Sequence, residues 1–166
     1  MALTEAYILE ALRAAGVRPE KIRPALARLQ REFGHEYVLA APELATDGID
    51  VLWDFSRSTA GDGLIEGRTG QGVMRTVVQD YLQYITRGDD GYPSMLALRT
   101  FEPHKVVVDP TRAFGQPFFE GSRTRVADVA AMVKAGDEPE VVADELGVSV
   151  PQVWAAARVV LGRVAS

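Results

Sequence analysis

The chain has 166 residues, 47% of them hydrophobic and 25% charged, enough to bury a sizeable core in one domain or two small ones. It contains no cysteine, which excludes a disulfide scaffold, a cysteine-ligated zinc site and a thiol nucleophile. Its net charge of −5 argues against a stand-alone nucleic-acid binder, because phosphate neutralisation needs clustered Lys and Arg. The acid is concentrated in residues 37–103, while residues 1–36 and 104–166 are close to neutral. No apolar run approaches the ~18 residues of a membrane-spanning helix. The N-terminus also lacks a basic-then-apolar leader pattern, so a cytoplasmic location is expected.

The chain opens in helix. Leu3, Tyr7, Ile8, Ala11, Leu12 and Ala15 form one apolar stripe, and Gly16 suits the position just past a helix end. A second stripe runs through Ile22, Ala25, Leu26, Leu29 and Phe33. Pro24 does not suit a helix interior, which predicts a break or bend near Arg23 and a main helix from Pro24 to about Phe33. Two short helices cannot bury both faces alone, so a covering layer or a second copy of the chain is expected; a homodimer is the simplest form.

Residues 35–73 switch to strand character at Tyr37–Ala40, Ile49–Trp53, Leu64–Glu66 and Gly72–Met74, the last two joined through Arg68-Thr69-Gly70-Gln71-Gly72 as a hairpin turn. Gly61, Gly63, Gly67, Gly70 and Gly72 invite a phosphate-loop reading. No Lys-Ser/Thr follows them and no Gly-x-Gly-x-x-Gly spacing occurs, so they read as turn glycines. Val77, Val78, Tyr81, Leu82 and Ile85 mark a helix ended by Gly88. Met95–Phe101 and Val106–Val108 are expected strands, the second stopped by Asp109-Pro110.

Three helices are expected beyond, near Val126–Lys134, Pro139–Glu145 and Val150–Leu161. Ala143 permits close approach of a second helix, Gly147 fits a turn position of positive φ, and Val148 plugs the turn. Ser149 stands three residues before Gln152 with Pro151 between them, a capping box that starts the last helix. Val153, Ala156, Ala157 and Val160 continue its apolar face. The pair reads as a helix-turn-helix or as an ordinary helical hairpin. The expected class is α+β. Residues 1–103 form N-terminal helices and a small β region, and residues 104–166 a β-hairpin with a three-helix domain.

From Asp109 the chain resembles the domain of unknown function 433 family. The resemblance rests on Asp109-Pro110, Gly115-Gln116-Pro117, Gly121-Ser122-Arg123-Thr124-Arg125-Val126, Ala135-Gly136 and the paired helices. Ser122 stands where that family commonly has Thr. The N-terminal stretch from Ile8 to Val17, with Ile22 and Leu26, is similar to helices that follow the wing in MerR-type regulators. The stretch from Thr46-Asp47-Gly48 through Tyr84 is similar to the middle of longer antitoxins. These resemblances imply an antitoxin of VapB type paired with a PIN-type ribonuclease toxin. DNA would be met only through an upstream reading module that, in the resembled architecture, precedes Leu3.

Read from the residues alone, Arg123 either braces Asp109, Glu120 or Asp128, or joins Arg125 in presenting guanidinium forks to carboxylates or phosphates. Enzymatic chemistry is not expected. His35 and His104 are far apart, Asp89/Asp90 and Asp144/Glu145 read as solvated charge, and no nucleophile or metal-ligand spacing occurs; no cofactor is expected either. Outside its apolar stripe the last helix offers Gln152, Trp154, Ala155, Arg158 and Arg163. Only Gln152 lies in the first turn, where base edges are read. The helix before it carries Asp137, Glu138, Glu140, Asp144 and Glu145, which repel phosphate. Trp154 is either an interface anchor or part of a core with Val126, Val129 and Met132. The candidate contacts to a protein or nucleic acid are Arg123, Arg125, Gln152, Trp154, Arg158 and Arg163.

Overall fold

The computed structural model describes residues 1–14, 19–45 and 79–162. The chain divides into two compact units, Met1–Pro93 and Ser94–Ser166. The strands expected at 49–53, 64–66 and 72–74, the glycine turn at 68–72, the helix stop at Gly16 and the side chain of Arg163 all lie outside the described residues.

In the first unit, α1 (Ala2–Ala14) carries Glu5 in its first turn and Arg13 in its last, each favoured by the helix dipole. Its buried residues are Thr4, Ile8, Ala11 and Leu12, one stripe at helical spacing. Leu3 is exposed, contrary to expectation, because the stripe traced back from Ile8 passes through Thr4. Helix α2 (Pro19–Phe33) continues through Pro24 without a break, so of the break or bend expected near Arg23 the break does not occur, and the helix starts at Pro19 rather than Pro24. The proline forfeits one N–H bond, the one to the carbonyl of Glu20 in the helix's first turn. Burial of Ile22, Ala25 and Leu29 on both sides of it holds the helix together.

Tyr37–Ala40 is a turn rather than a strand. The Ala40 N–H donates to Tyr37 O at 3.0 Å and the Ala41 N–H to Val38 O at 3.2 Å. Val38, Leu39, Ala40 and Ala41 are all buried, which a half-exposed strand could not achieve. Distant side chains satisfy this buried backbone. Glu5 accepts from the Leu39 N–H at 3.4 Å, and burial raises the pKa of its carboxyl. Arg87 donates to Ala40 O at 3.1 Å, to Gly91 O at 2.7 Å and to Ala41 O at 3.5 Å. Arg87 ends β1 (Ile85–Arg87); the helix expected to continue through Ile85 is helical only over 79–82 among the described residues.

Strand β2 (Pro93–Ala97) pairs antiparallel with β3 (Val106–Val108), and β3 with β4 (Phe118–Phe119), in a sheet ordered β1-β2-β3-β4. The registers are Leu96↔Val108 and Val106↔Phe119. The strand expected over Met95–Phe101 stops at Ala97 because β3 is short. The last rung is the Leu98 N–H to Val106 O, after which Arg99–Phe101 coils into a single 3-10 turn that buries Phe101.

The three expected helices form as α3 (Val126–Ala135), α4 (Pro139–Leu146) and α5 (Val150–Leu161). Gly136, at φ 105°, closes α3: its N–H reaches Val133 O while the Asp137 N–H reaches Met132 O. Gly147, at φ 63°, closes α4 with its N–H on Ala143 O. Phe101, Val106, Phe119, Val126, Val129, Val133, Val142, Val153, Ala156 and Ala157 build the core of this unit. Two details of α5 correct the expected stripe. Ala155 is buried, so the alanines present a broader face than four positions imply, and Val160 is exposed.

A candidate partner-binding surface on the second unit

The chain leaves β3 through Asp109, whose carboxylate accepts the Thr111 hydroxyl at 2.7 Å and the Thr111 N–H at 2.8 Å. The hydroxyl bond, with the N–H beside it, holds the carboxyl below the ordinary aspartate range. The backbone then takes an uncommon path. Ala113 (φ 49°), Phe114 (φ 55°) and Gly115 (φ 70°) are consecutive residues in the left-handed region. Gly115 adopts it without strain, but a residue with a Cβ gives up about 1–2 kcal/mol there. Bonds from Gly115 N–H to Arg112 O at 2.9 Å and from Gln116 N–H to Ala113 O at 3.0 Å close the turn. Phe114, at its tip, is 94% exposed.

Behind the turn, the Arg112 guanidinium lies 4.6 Å from the ring centre of the buried Phe118. The chain then passes Gly121, at φ 84°. A Cβ there would meet nothing within 4 Å, so the backbone angle and not close packing is what calls for glycine. Ser122 donates its hydroxyl to Phe119 O and accepts the Thr124 N–H, both at 3.1 Å. Thr124 in turn donates to Leu146 O at 2.7 Å, fastening this loop to the last carbonyls of α4. With the Phe119 N–H on Thr124 O and the Val126 N–H on Pro117 O, Arg123 and Arg125 are set beside the left-handed turn.

Arg125 makes a two-pronged pair with Asp128, Nε and Nη2 each 2.8 Å from a carboxylate oxygen, and this bonding raises the guanidinium pKa. The three braces expected for Arg123 go elsewhere. Asp128 takes Arg125, Glu120 takes Lys105 at 3.3 Å, and Asp109 takes Thr111. Arg123 is exposed. Arg112, Ala113, Phe114, Phe118, Arg123 and Arg125 line an open depression of about 500 Å³.

The structure therefore brings Arg123 and Arg125 together and places the other expected contacts on α5. Gln152 folds back on its own cap: its Oε1 accepts the Ser149 N–H at 2.8 Å while Ser149 Oγ accepts the Gln152 N–H at 3.4 Å. Trp154 is 37% exposed and stands outside the apolar core, and Arg158 is exposed. Sequence reasoning missed Arg112 and Phe114. The only local signal was Asp109-Pro110 ahead of Gly115, which marks a turn without revealing that the two residues before the glycine share its handedness. Among the described residues, no three His, Cys, Asp or Glu side chains cluster to hold a metal, and no helix is long and apolar enough to cross a membrane. The site offers the Arg123 guanidinium beside a projecting aromatic ring, an arrangement suited to binding a carboxylate or phosphate.

The family described as a protein of unknown function (DUF433) matches residues 106–158, the stretch from β3 into α5. A Mycobacterium tuberculosis protein named "Putative antitoxin VapB45" is 44% identical over 158 residues, which is 90% of this chain and 66% of that protein. A second protein of the same organism, "Uncharacterized protein Rv2308", is 29% identical over 79% of this chain and 57% of its own length. The chain thus spans 66% or less of each of these two curated relatives. The crystal structure of Rv2018 from M. tuberculosis superposes with a TM-score of 0.75 at 41% identity, covering 93% of this chain and 75% of that one. The chain belongs to the same family as Rv2018, with the DUF433 match on its second unit.

Proposed function

We propose that this protein is the antitoxin subunit of a type II toxin–antitoxin pair and that it neutralises a PIN-type ribonuclease. The observation that carries the reading is the 44% identity to a protein named as an antitoxin. The arginine-lined depression is consistent with it. A PIN-type site is a cluster of carboxylates holding magnesium, and a guanidinium set among them competes with the metal. In this reading the protein acts by binding, not by catalysis. It self-associates as a homodimer built on its N-terminal helices, the simplest way to give them a covering layer. The test is co-expression with the product of the adjacent open reading frame, followed by pull-down and a ribonuclease assay. Capture with loss of ribonuclease activity is expected; no capture overturns the reading.

A second reading, a DNA-binding regulator, is favoured by the junction of α4 and α5. Gly147 at positive φ and the complete Ser149–Gln152 capping box are what a helix-turn-helix requires. The same cap occupies Gln152, its first-turn reader, and α4 carries Glu140, Asp144 and Glu145. In the antitoxin reading, with Gln152 held by its own cap and α4 acidic, this chain does not shift duplex DNA at physiological salt. A specific shift without toxin capture would reverse the order of the two readings.

A further inference from the structure

We infer that the left-handed turn Arg112–Gly115, with Arg123, is the surface on which an acidic face of the toxin seats, Phe114 entering an apolar notch between the toxin's carboxylates. The inference rests on the antitoxin reading and adds which part of the chain does the binding. Three observations meet at this place. Phe114 is 94% exposed, so its ring stabilises nothing in this chain. It is nevertheless held at φ 55°, beside Ala113 at φ 49°, a conformation that non-glycine residues rarely adopt and that gathers at ligand-binding positions. Arg123 adjoins it, exposed, while all three of its candidate acids are engaged elsewhere. An exposed aromatic ring with an arginine beside it has the composition enriched at protein interfaces. The chemistry that complements it is a carboxylate-bearing surface with an apolar hollow.

A nucleic acid fits less well. Phosphate recognition needs many cations, each neutralised phosphate adding to the salt dependence. Here Arg125 is already paired with Asp128, Arg112 lies on Phe118, and the chain as a whole carries −5. A protein interface needs only a few anchors.

The experiment compares capture of the adjacent-gene toxin by the full chain, by Phe114→Gly, by Arg123→Glu and by Lys134→Glu, with melting temperatures for each. Lys134 lies in the last turn of α3, away from the turn, and makes the same charge change as Arg123→Glu. Phe114→Gly and Arg123→Glu should each weaken capture more than tenfold. Lys134→Glu should not, and Phe114→Gly should melt no lower than the parent because glycine relieves the backbone. Capture at parental strength by both Phe114→Gly and Arg123→Glu overturns this surface while leaving the antitoxin reading in place. Absence of capture by the parent chain removes the occupant and overturns both. A duplex of the gene's own upstream region that is shifted by the parent at physiological salt and not by Arg123→Glu would reassign the surface to nucleic acid.

Discussion

The two units solve the same problem, satisfying backbone polar groups away from water, by opposite means. In the second unit the solutions are local: Gly136 and Gly147 turn the helix ends, and Ser149 and Gln152 cap each other three residues apart. In the first unit they are distant. The buried carbonyls of Ala40 and Ala41 wait for Arg87, and the Leu39 N–H for Glu5. Local devices can be read from spacing and survive most changes elsewhere; distant ones concentrate the stability of a whole segment in one side chain.

The largest effect should come from the core of the second unit. Phe119 is fully buried among Val126, Val129 and Val153, and Phe119→Ala should cost about 3–5 kcal/mol, read by urea unfolding. A loss below 1 kcal/mol would mean that this core is not a single packed layer.

The contrast is sharpest at Arg87. Replacing it with Met keeps much of the apolar stem but strands the carbonyls of Ala40, Ala41 and Gly91. Each unsatisfied buried group costs about 1–3 kcal/mol, so Arg87→Met should destabilise the first unit by about 2–4 kcal/mol after allowance for partial exposure. Amide exchange should speed up at Ala40 and Ala41 and stay unchanged in α3 and α5. Uniform acceleration across the chain would deny that the two units open separately.

Gly147→Val tests the local side. A Cβ at Gly147 meets nothing within 4 Å, so the positive φ rather than crowding of the Cβ sets the expected loss. About 1–3 kcal/mol is expected for a β-branched residue in that region, and Gly147→Asn should lose distinctly less. Equal melting temperatures for parent and Gly147→Val would mean that the turn does not need its left-handed residue.

The same contrast explains what was legible. The three C-terminal helices and β3 could be placed almost to the residue because their stops are Gly136, Gly147, Asp109-Pro110 and the Ser149 cap, all local chemistry. The segment around Val38 has the apolar run of a strand and is a turn. That run is buried on all sides, and nothing near it in sequence reveals that Arg87 will supply the donors. At the candidate surface, Arg123 and Arg125 were visible as a pair beside a tight turn. Arg112 and Phe114 were not, since left-handed backbone at Ala113 and Phe114 contradicts their own preferences and is imposed by the loop that carries them.

The smallest effect concerns that loop's first bond. The Thr111 hydroxyl, with the Thr111 N–H, holds the Asp109 carboxyl below its ordinary value. A depressed folded-state pKa contributes stability that is present above the unfolded value, near ~3.9, and is lost as the pH falls through the folded one. Thr111→Val removes the 2.7 Å hydroxyl bond and keeps the 2.8 Å N–H bond. The Asp109 midpoint, followed by carboxyl carbon NMR, should move upward toward the ordinary value without reaching it. The variant should be slightly less stable than the parent at neutral pH and equal to it once both carboxyls are protonated. An unchanged midpoint would show that the backbone N–H alone sets this carboxyl, and that the turn leading to Phe114 is fixed by its main chain rather than by Thr111.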